Sequence, residues 1–131
     1  MNYELHDSQI SELKLGENTI ILNFSQGYWT TDDSGKELEQ MKNCQIVYEI
    51  DRDDIPLEDF IYVLIAKKGG AYKKISLKKF IGLLKKSPFD VSLEYNCNFA
   101  SSKMLRIYSN LLRVSAEIFI EDIKNVEYLH E

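Results

Sequence analysis

The sequence predicts an α+β fold: a mainly antiparallel, curled β-sheet of hairpins, with one amphipathic α-helix (about residues 77–86) packed on it. Three observations carry this. Apolar and polar residues alternate in several separate stretches, turn residues punctuate them at short intervals, and one stretch alone has clear helical spacing. No strand–helix–strand rhythm recurs, so the strands are expected to pair as hairpins in one sheet. At 131 residues, with no internal repeat and no Gly/Ser/Pro-rich linker, the chain 1–131 is expected to be a single domain.

The first element is a hairpin, Ile10 to Leu15 and Thr19 to Ser25 around a Gly16-Glu17-Asn18 turn, in which Ile20, Leu22 and Phe24 share a face. Gln26 to Lys42 reads as a loop, with a short helical turn over Lys36 to Met41 as its one candidate element. Cys44, Ile46, Tyr48 and Ile50 then mark the buried face of a strand. Phe60 to Lys67 is apolar almost throughout and ends in Lys68-Gly69-Gly70, a turn suited to positive φ.

The helix follows. Ser76 is a natural N-cap, Leu77, Phe80, Ile81 and Leu84 form the apolar stripe, and Ser87-Pro88 stops it. Val91, Leu93, Tyr95, Cys97 and Phe99 alternate strictly with polar residues, which predicts a strand with all five facing inward. Ser102 to Leu112 fits both a helical stripe and a strand; a strand through Leu105 to Tyr108 with a turn at Ser109-Asn110 continues the hairpin order. Arg113 to Glu121 and Val126 to Leu129 complete the set, the latter as a short edge strand.

Charge is distributed in blocks. The net −5 divides into −10 over residues 1–59, +8 over residues 60–89 and −3 over residues 90–131. The middle block holds Lys67, Lys68, Lys73, Lys74, Lys78, Lys79, Lys85 and Lys86 and no acid. Lys78 and Lys79 occupy the first helical turn, where the macrodipole disfavours cations. One reading makes this block a solvated face neutralised by the acidic N-terminal half; another makes it a basic patch for an anionic partner. An isoelectric point near 5.1 and only three arginines argue against nucleic acid. The opposing candidate for partner binding is acidic: Asp32, Asp33, Glu49, Asp51, Asp53, Asp54, Glu58 and Asp59.

Residues for catalysis are few. His6 and His130 are the only histidines, and no HExxH, CxxC, phosphate-binding loop or GxSxG occurs. Asp51-Arg52-Asp53 begins like a calcium loop, but Pro56 and Tyr62 stand where glycine and glutamate are required. Cys44 and Cys97 are expected to be buried, inert thiols, and His6 to be partly buried beside the first hairpin. No catalytic residue, metal ligand or cofactor is therefore assigned. The N-terminus lacks a secretory signal and no apolar run spans a bilayer, so a cytoplasmic location and no membrane partner are expected.

The opening Leu5-His6-Asp7-Ser8-Gln9-Ile10-Ser11, with the strand Ile20-Ile21-Leu22-Asn23-Phe24 after it, resembles the start of small bacterial domains of uncharacterised function that begin with an "HDs.I" element and a hairpin. The Ser76-Leu77-Lys78-Lys79-Phe80-Ile81 helix start and the closing Ile118-Phe119-Ile120 and Val126-Glu127-Tyr128 are similar in order. Several such families resemble immunity proteins of bacterial toxin systems, which bind a cognate toxin domain and block it. That resemblance implies a stoichiometric inhibitor without a cofactor, and a structural role for Leu5, His6, Asp7 and Ser8. The expectation is a non-enzymatic protein-binding domain acting through charged patches. The alternatives are an interaction or regulatory domain of another kind, a small hydrolase-type enzyme, or a nucleic-acid binder using residues 67–86.

Overall fold

The computed structural model describes residues 2–40, 42–97 and 101–130. Its strands are β1 (Asn2–Glu4), β2 (Gln9–Leu15), β3 (Thr19–Phe24), β4 (Trp29–Thr31), β5 (Glu37–Gln40) and β6 (Cys44–Ile50) in the first half. A 3-10 turn at Leu57–Phe60 leads into β7 (Ile61–Lys67), β8 (Lys73–Ile75) and the helix α1 (Leu77–Lys86). Then come β9 (Phe89–Cys97), β10 (Ser102–Ser109), β11 (Val114–Ile120) and β12 (Ile123–Leu129). The α+β expectation holds at this level: antiparallel strands throughout, with one α-helix among the described residues.

There are two sheets where the sequence suggested one. Nine strands pair in the order β12-β6-β3-β2-β9-β10-β11-β7-β8, and β1-β4-β5 form a second, three-stranded sheet. Two of its strands, β4 and β5, lie in the stretch expected to be a loop, and β1 pairs with β4 from before the first hairpin. Its strands are three or four residues long, too short for alternation to register, and Asp32 to Gly35 turn β4 back onto β5 with Gly35 at φ 87°. The helical turn expected at Lys36 to Met41 is β5 instead, with Met41 outside the described residues. Aromatic rings join the two sheets. Tyr3 of β1 stacks on Tyr128 of β12 at 4.5 Å and meets Tyr28 edge-on at 5.3 Å, while the Tyr28 hydroxyl donates to the Leu129 carbonyl at 3.0 Å.

The helix begins as its sequence dictates. The Ser76 Oγ accepts from the Lys79 amide at 3.1 Å, and Phe80 and Leu84 are buried while the lysines are exposed. It contacts β2 and β7, strands separated in the sheet by β9, β10 and β11, and Phe80 meets Phe89 of β9 edge-on at 5.5 Å. Lys103 of β10 likewise lies 5.5 Å from the Tyr48 ring of β6, across three intervening strands. Ile10, Ile20, Leu22, Phe24, Ile46, Val63, Leu105, Ile107 and Ile118 form the core with these rings.

The open choice over Ser102 to Leu112 resolves as strand: β10 runs to Ser109, and residues 110–113 turn into β11. The largest departure from expectation is in β9. Ile107 pairs with Val91, but Arg106 pairs with Leu93, so Ser92 is an extra residue, a β-bulge. Side chains alternate with a period of two, so one extra residue exchanges the faces of everything after it. Val91 is buried with Ile107, whereas Leu93, Tyr95 and Cys97 turn outward and are exposed. The inward orientation expected for these three is thus corrected, and Phe99 lies outside the described residues. In their place Glu94, opposite Leu105, takes the inner position, while Asn96, opposite Lys103, is exposed.

Candidate functional site

The bulge has consequences on both faces of the sheet. Inside, the Lys103 ammonium, 6% exposed, donates to Glu94 Oε2 at 3.0 Å. Beside the pair stand two tyrosines, Tyr48 and Tyr128. Burial raises both phenols above their ordinary range, with the Glu94 charge adding to the rise at Tyr48 and Lys103 partly offsetting it at Tyr128. The Tyr48 hydroxyl is fully buried and has no hydrogen-bond partner among the described residues.

Outside, cross-strand pairing aligns Tyr95, Met104, Phe119 and Tyr62 in a row across β9, β10, β11 and β7. Phe119 and Tyr62 stack at 4.8 Å, and Lys74 sits 5.8 Å from the Tyr62 ring. The next rung is Leu93, Arg106, Glu117 and Leu64, with Arg106 and Glu117 joined at 3.1 Å. Tyr95 is 59% and Leu93 43% exposed. An apolar row of this kind, flanked by charge, is what protein-binding surfaces present. Strict alternation in the sequence points Leu93 and Tyr95 to the core, so spacing alone does not reveal this row.

The row lies between two charged poles. β7 runs from Ile61 to Lys67, roughly 20 Å at the usual rise per residue. At its start stand Asp51, Asp53, Asp54, Glu58 and Asp59, all exposed. Two acids not singled out in the sequence, Glu121 and Asp122, join them from the β11–β12 turn. The Asp51 amide donates to the Asp122 carbonyl at 3.0 Å and the Glu121 amide to the Phe60 carbonyl at 2.8 Å. The one arginine of the loop, Arg52, donates to Asn18 Oδ1 at 2.6 Å and to the Ile55 carbonyl at 3.1 Å. Glu49 lies on β6 and faces Lys124 at 3.7 Å.

Asp32 and Asp33 do not belong to this pole. They sit in the β4–β5 turn, where Asp32 Oδ1 accepts from the Ser34 hydroxyl at 2.6 Å and from the Ser34 and Lys36 amides at 2.9 Å. Those bonds, led by the Ser34 hydroxyl, lower its pKa and give it a turn-building role.

The far end of β7 is basic. Lys67, Lys68, Lys73, Lys74, Lys78, Lys79, Lys85 and Lys86 are all exposed, and none forms an ion pair among the described residues.

The histidine and cysteine expectations are corrected in part. His6 is exposed, with Nδ1 3.1 Å from Asp7 Oδ2, instead of half-buried, because Asp7 takes φ 68° and its amide is tied to the Val91 carbonyl at 3.1 Å. Cys44 is buried and Cys97 exposed. Among the described residues no group of three or more His, Cys, Asp or Glu side chains is arranged to hold a metal, and no helix is long and apolar enough to cross a membrane. No protein-family model, curated protein or solved structure matches the chain.

Proposed function

We propose that this chain is a non-enzymatic protein-binding domain that docks a basic partner through the outer sheet face and the acidic pole beside it. The observation that carries the reading is the outward-facing apolar row Tyr95–Met104–Phe119–Tyr62, in which Tyr95 is exposed and the other three are half-buried. Apolar rows supply contact area, and the acids Asp51, Asp53, Asp54, Glu58, Asp59, Glu121 and Asp122 supply steering toward a cationic surface. The scaffold we infer is a curled sheet whose concave side is filled by an amphipathic helix; the contacts from Lys103 to Tyr48 and from α1 to both β2 and β7 support it.

The finer reading is a bacterial immunity protein that neutralises a cognate toxin by covering a basic substrate cleft. It rests on the resemblance of Leu5-His6-Asp7-Ser8, and of the order of the later Ser76–Ile81 and Ile118–Tyr128 features, to such families, and on the charge of the pole.

The test is calorimetric titration with the product of the gene adjoining this one in its native genome. A tight one-to-one complex is expected, weakened at low salt by roughly tenfold or more when Asp51, Asp53, Asp54, Glu58 and Asp59 are replaced by asparagine or glutamine. Undiminished affinity in that variant, with the fold intact, overturns the acidic pole as the binding surface.

A further inference from the structure

A second site lies at the basic end of the outer face, where no docking role has been assigned. A cleft of about 580 Å³ opens at the β10–β11 turn, lined by Lys68, Arg113, Tyr108, Ser109, Asn110 and Ser115. Its only charged lining groups are two cations, with no carboxylate among the lining residues to quench them. Neither Lys68 nor Arg113 forms an ion pair among the described residues. The Lys68 amide donates to the Arg113 carbonyl at 3.4 Å, which ties together the two turns that carry the cations.

Arg113 adopts φ 56°, a left-handed conformation that glycine or asparagine takes at lower cost. The end of α1 comes beside the cleft through the Ser109 hydroxyl, 3.3 Å from Ser87 Oγ, and the charges of Lys85 and Lys86 there oppose the negative end of the helix dipole. Guanidinium, ammonium, hydroxyl and amide donors around one cavity suit a phosphate group, which arginine grips with two parallel bonds and lysine as a point charge. The volume falls within the range of small-molecule sites and exceeds what a bare ion fills, and the Tyr108 side chain provides a ring surface along one wall.

We propose that this cleft binds a phosphate monoester group, with Arg113 and Lys68 as its principal ligands. The experiment titrates the full chain with inorganic phosphate and, separately, with adenosine 5′-monophosphate, following backbone amide NMR shifts. Saturable shifts centred on Lys68 and residues 109–115 are expected, tighter for the nucleotide if the ring wall is used and equal for both if free phosphate is the ligand. Arg113→Gly should weaken binding by at least about tenfold yet melt no lower than the parent, because glycine accepts the left-handed backbone without strain. Lys68→Gln, at an exposed position, should weaken it by roughly fivefold or more with no change in melting.

The proposal fails if no saturable shift arises up to roughly 10 mM ligand, or if either variant binds as the parent does. It fails equally if the shifts centre on residues 73–86, which would mark diffuse attraction to the lysine face. A single-stranded oligonucleotide that binds far more tightly than both probes, with the cleft residues unshifted, also overturns it.

Discussion

Glu94 Oε2 and Lys103 Nζ meet at 3.0 Å on the inner face of β9 and β10, at positions where an unbroken alternation would have put a leucine or tyrosine instead of the acid. The ammonium is 6% exposed and the carboxylate 23% exposed, so each depends on the other for its charge balance. Removing one partner strands a buried charge, whereas replacing both with apolar groups of similar size removes two desolvation penalties together. Lys103→Ala should therefore cost about 3 kcal/mol in denaturant unfolding, while the double variant Lys103→Met with Glu94→Leu should lie within about 1 kcal/mol of the parent or above it. A double variant that costs as much as Lys103→Met and Glu94→Leu added together would show that the pair is not coupled.

The Tyr48 hydroxyl, fully buried beside that pair and without a hydrogen-bond partner among the described residues, gives a prediction of opposite sign. Tyr48→Phe should stabilise the protein by about 1 kcal/mol, since it deletes a desolvated polar group and keeps the ring. It should also alter the alkaline limb. Burial raises Tyr48, and to different extents Tyr28 and Tyr128, above the ordinary value of 10.0, so the folded state favours the protonated phenol. That contribution is complete below pH 10.0 and is lost as pH rises from there toward the folded values. Unfolding midpoints measured from neutral to strongly alkaline pH should fall above that point, and more shallowly in Tyr48→Phe.

Deletion of Ser92 tests the bulge itself. Val91 pairs with Ile107 and Leu93 with Arg106, so without Ser92 the two strands are in regular register. The deletion loses the Ser92 hydroxyl's bond to the Arg106 carbonyl at 3.1 Å and the local kink, and nothing in the core moves to the other face. The variant should fold, with a loss of less than about 2 kcal/mol by thermal or denaturant melting. Failure to fold would mean that the extra residue is needed for the path of the strand.

Thiol chemistry reads the same face assignment without any mutation. Cys97 is exposed and Cys44 buried, so a thiol reagent under native conditions should modify one equivalent quickly and the second only on unfolding. Peptide mapping should place the fast label on Cys97.

These predictions concentrate on β9 because that is where the sequence misleads. Strands with unbroken alternation, such as Cys44 to Ile50 and Val114 to Ile120, could be read directly, and so could the Ser76 cap of α1 and its stop before Ser87-Pro88. An alternating pattern fixes a face only up to an extra residue, and Ser92 has no glycine or proline to announce it. One visible signal existed in β10: Lys103 is in phase with Leu105 and Ile107, so a core-facing lysine required an acid on the neighbouring strand, and Glu94 is that acid. The acidic pole was legible as a run from Asp51 to Asp59, but Glu121 and Asp122 joined it through backbone bonds between distant turns, which spacing does not reveal. The small sheet escaped because strands as short as Trp29–Thr31 carry no period.

The central claim is that the apolar row turned outward at Leu93 and Tyr95 is where a partner docks. Its most direct test is the affinity of the double variant Leu93→Ser with Tyr95→Ser, measured by calorimetry against the product of the adjoining gene. These side chains are 43% and 59% exposed, so the variant should melt close to the parent and bind about a hundredfold more weakly. Unchanged affinity in a folded variant would contradict the claim.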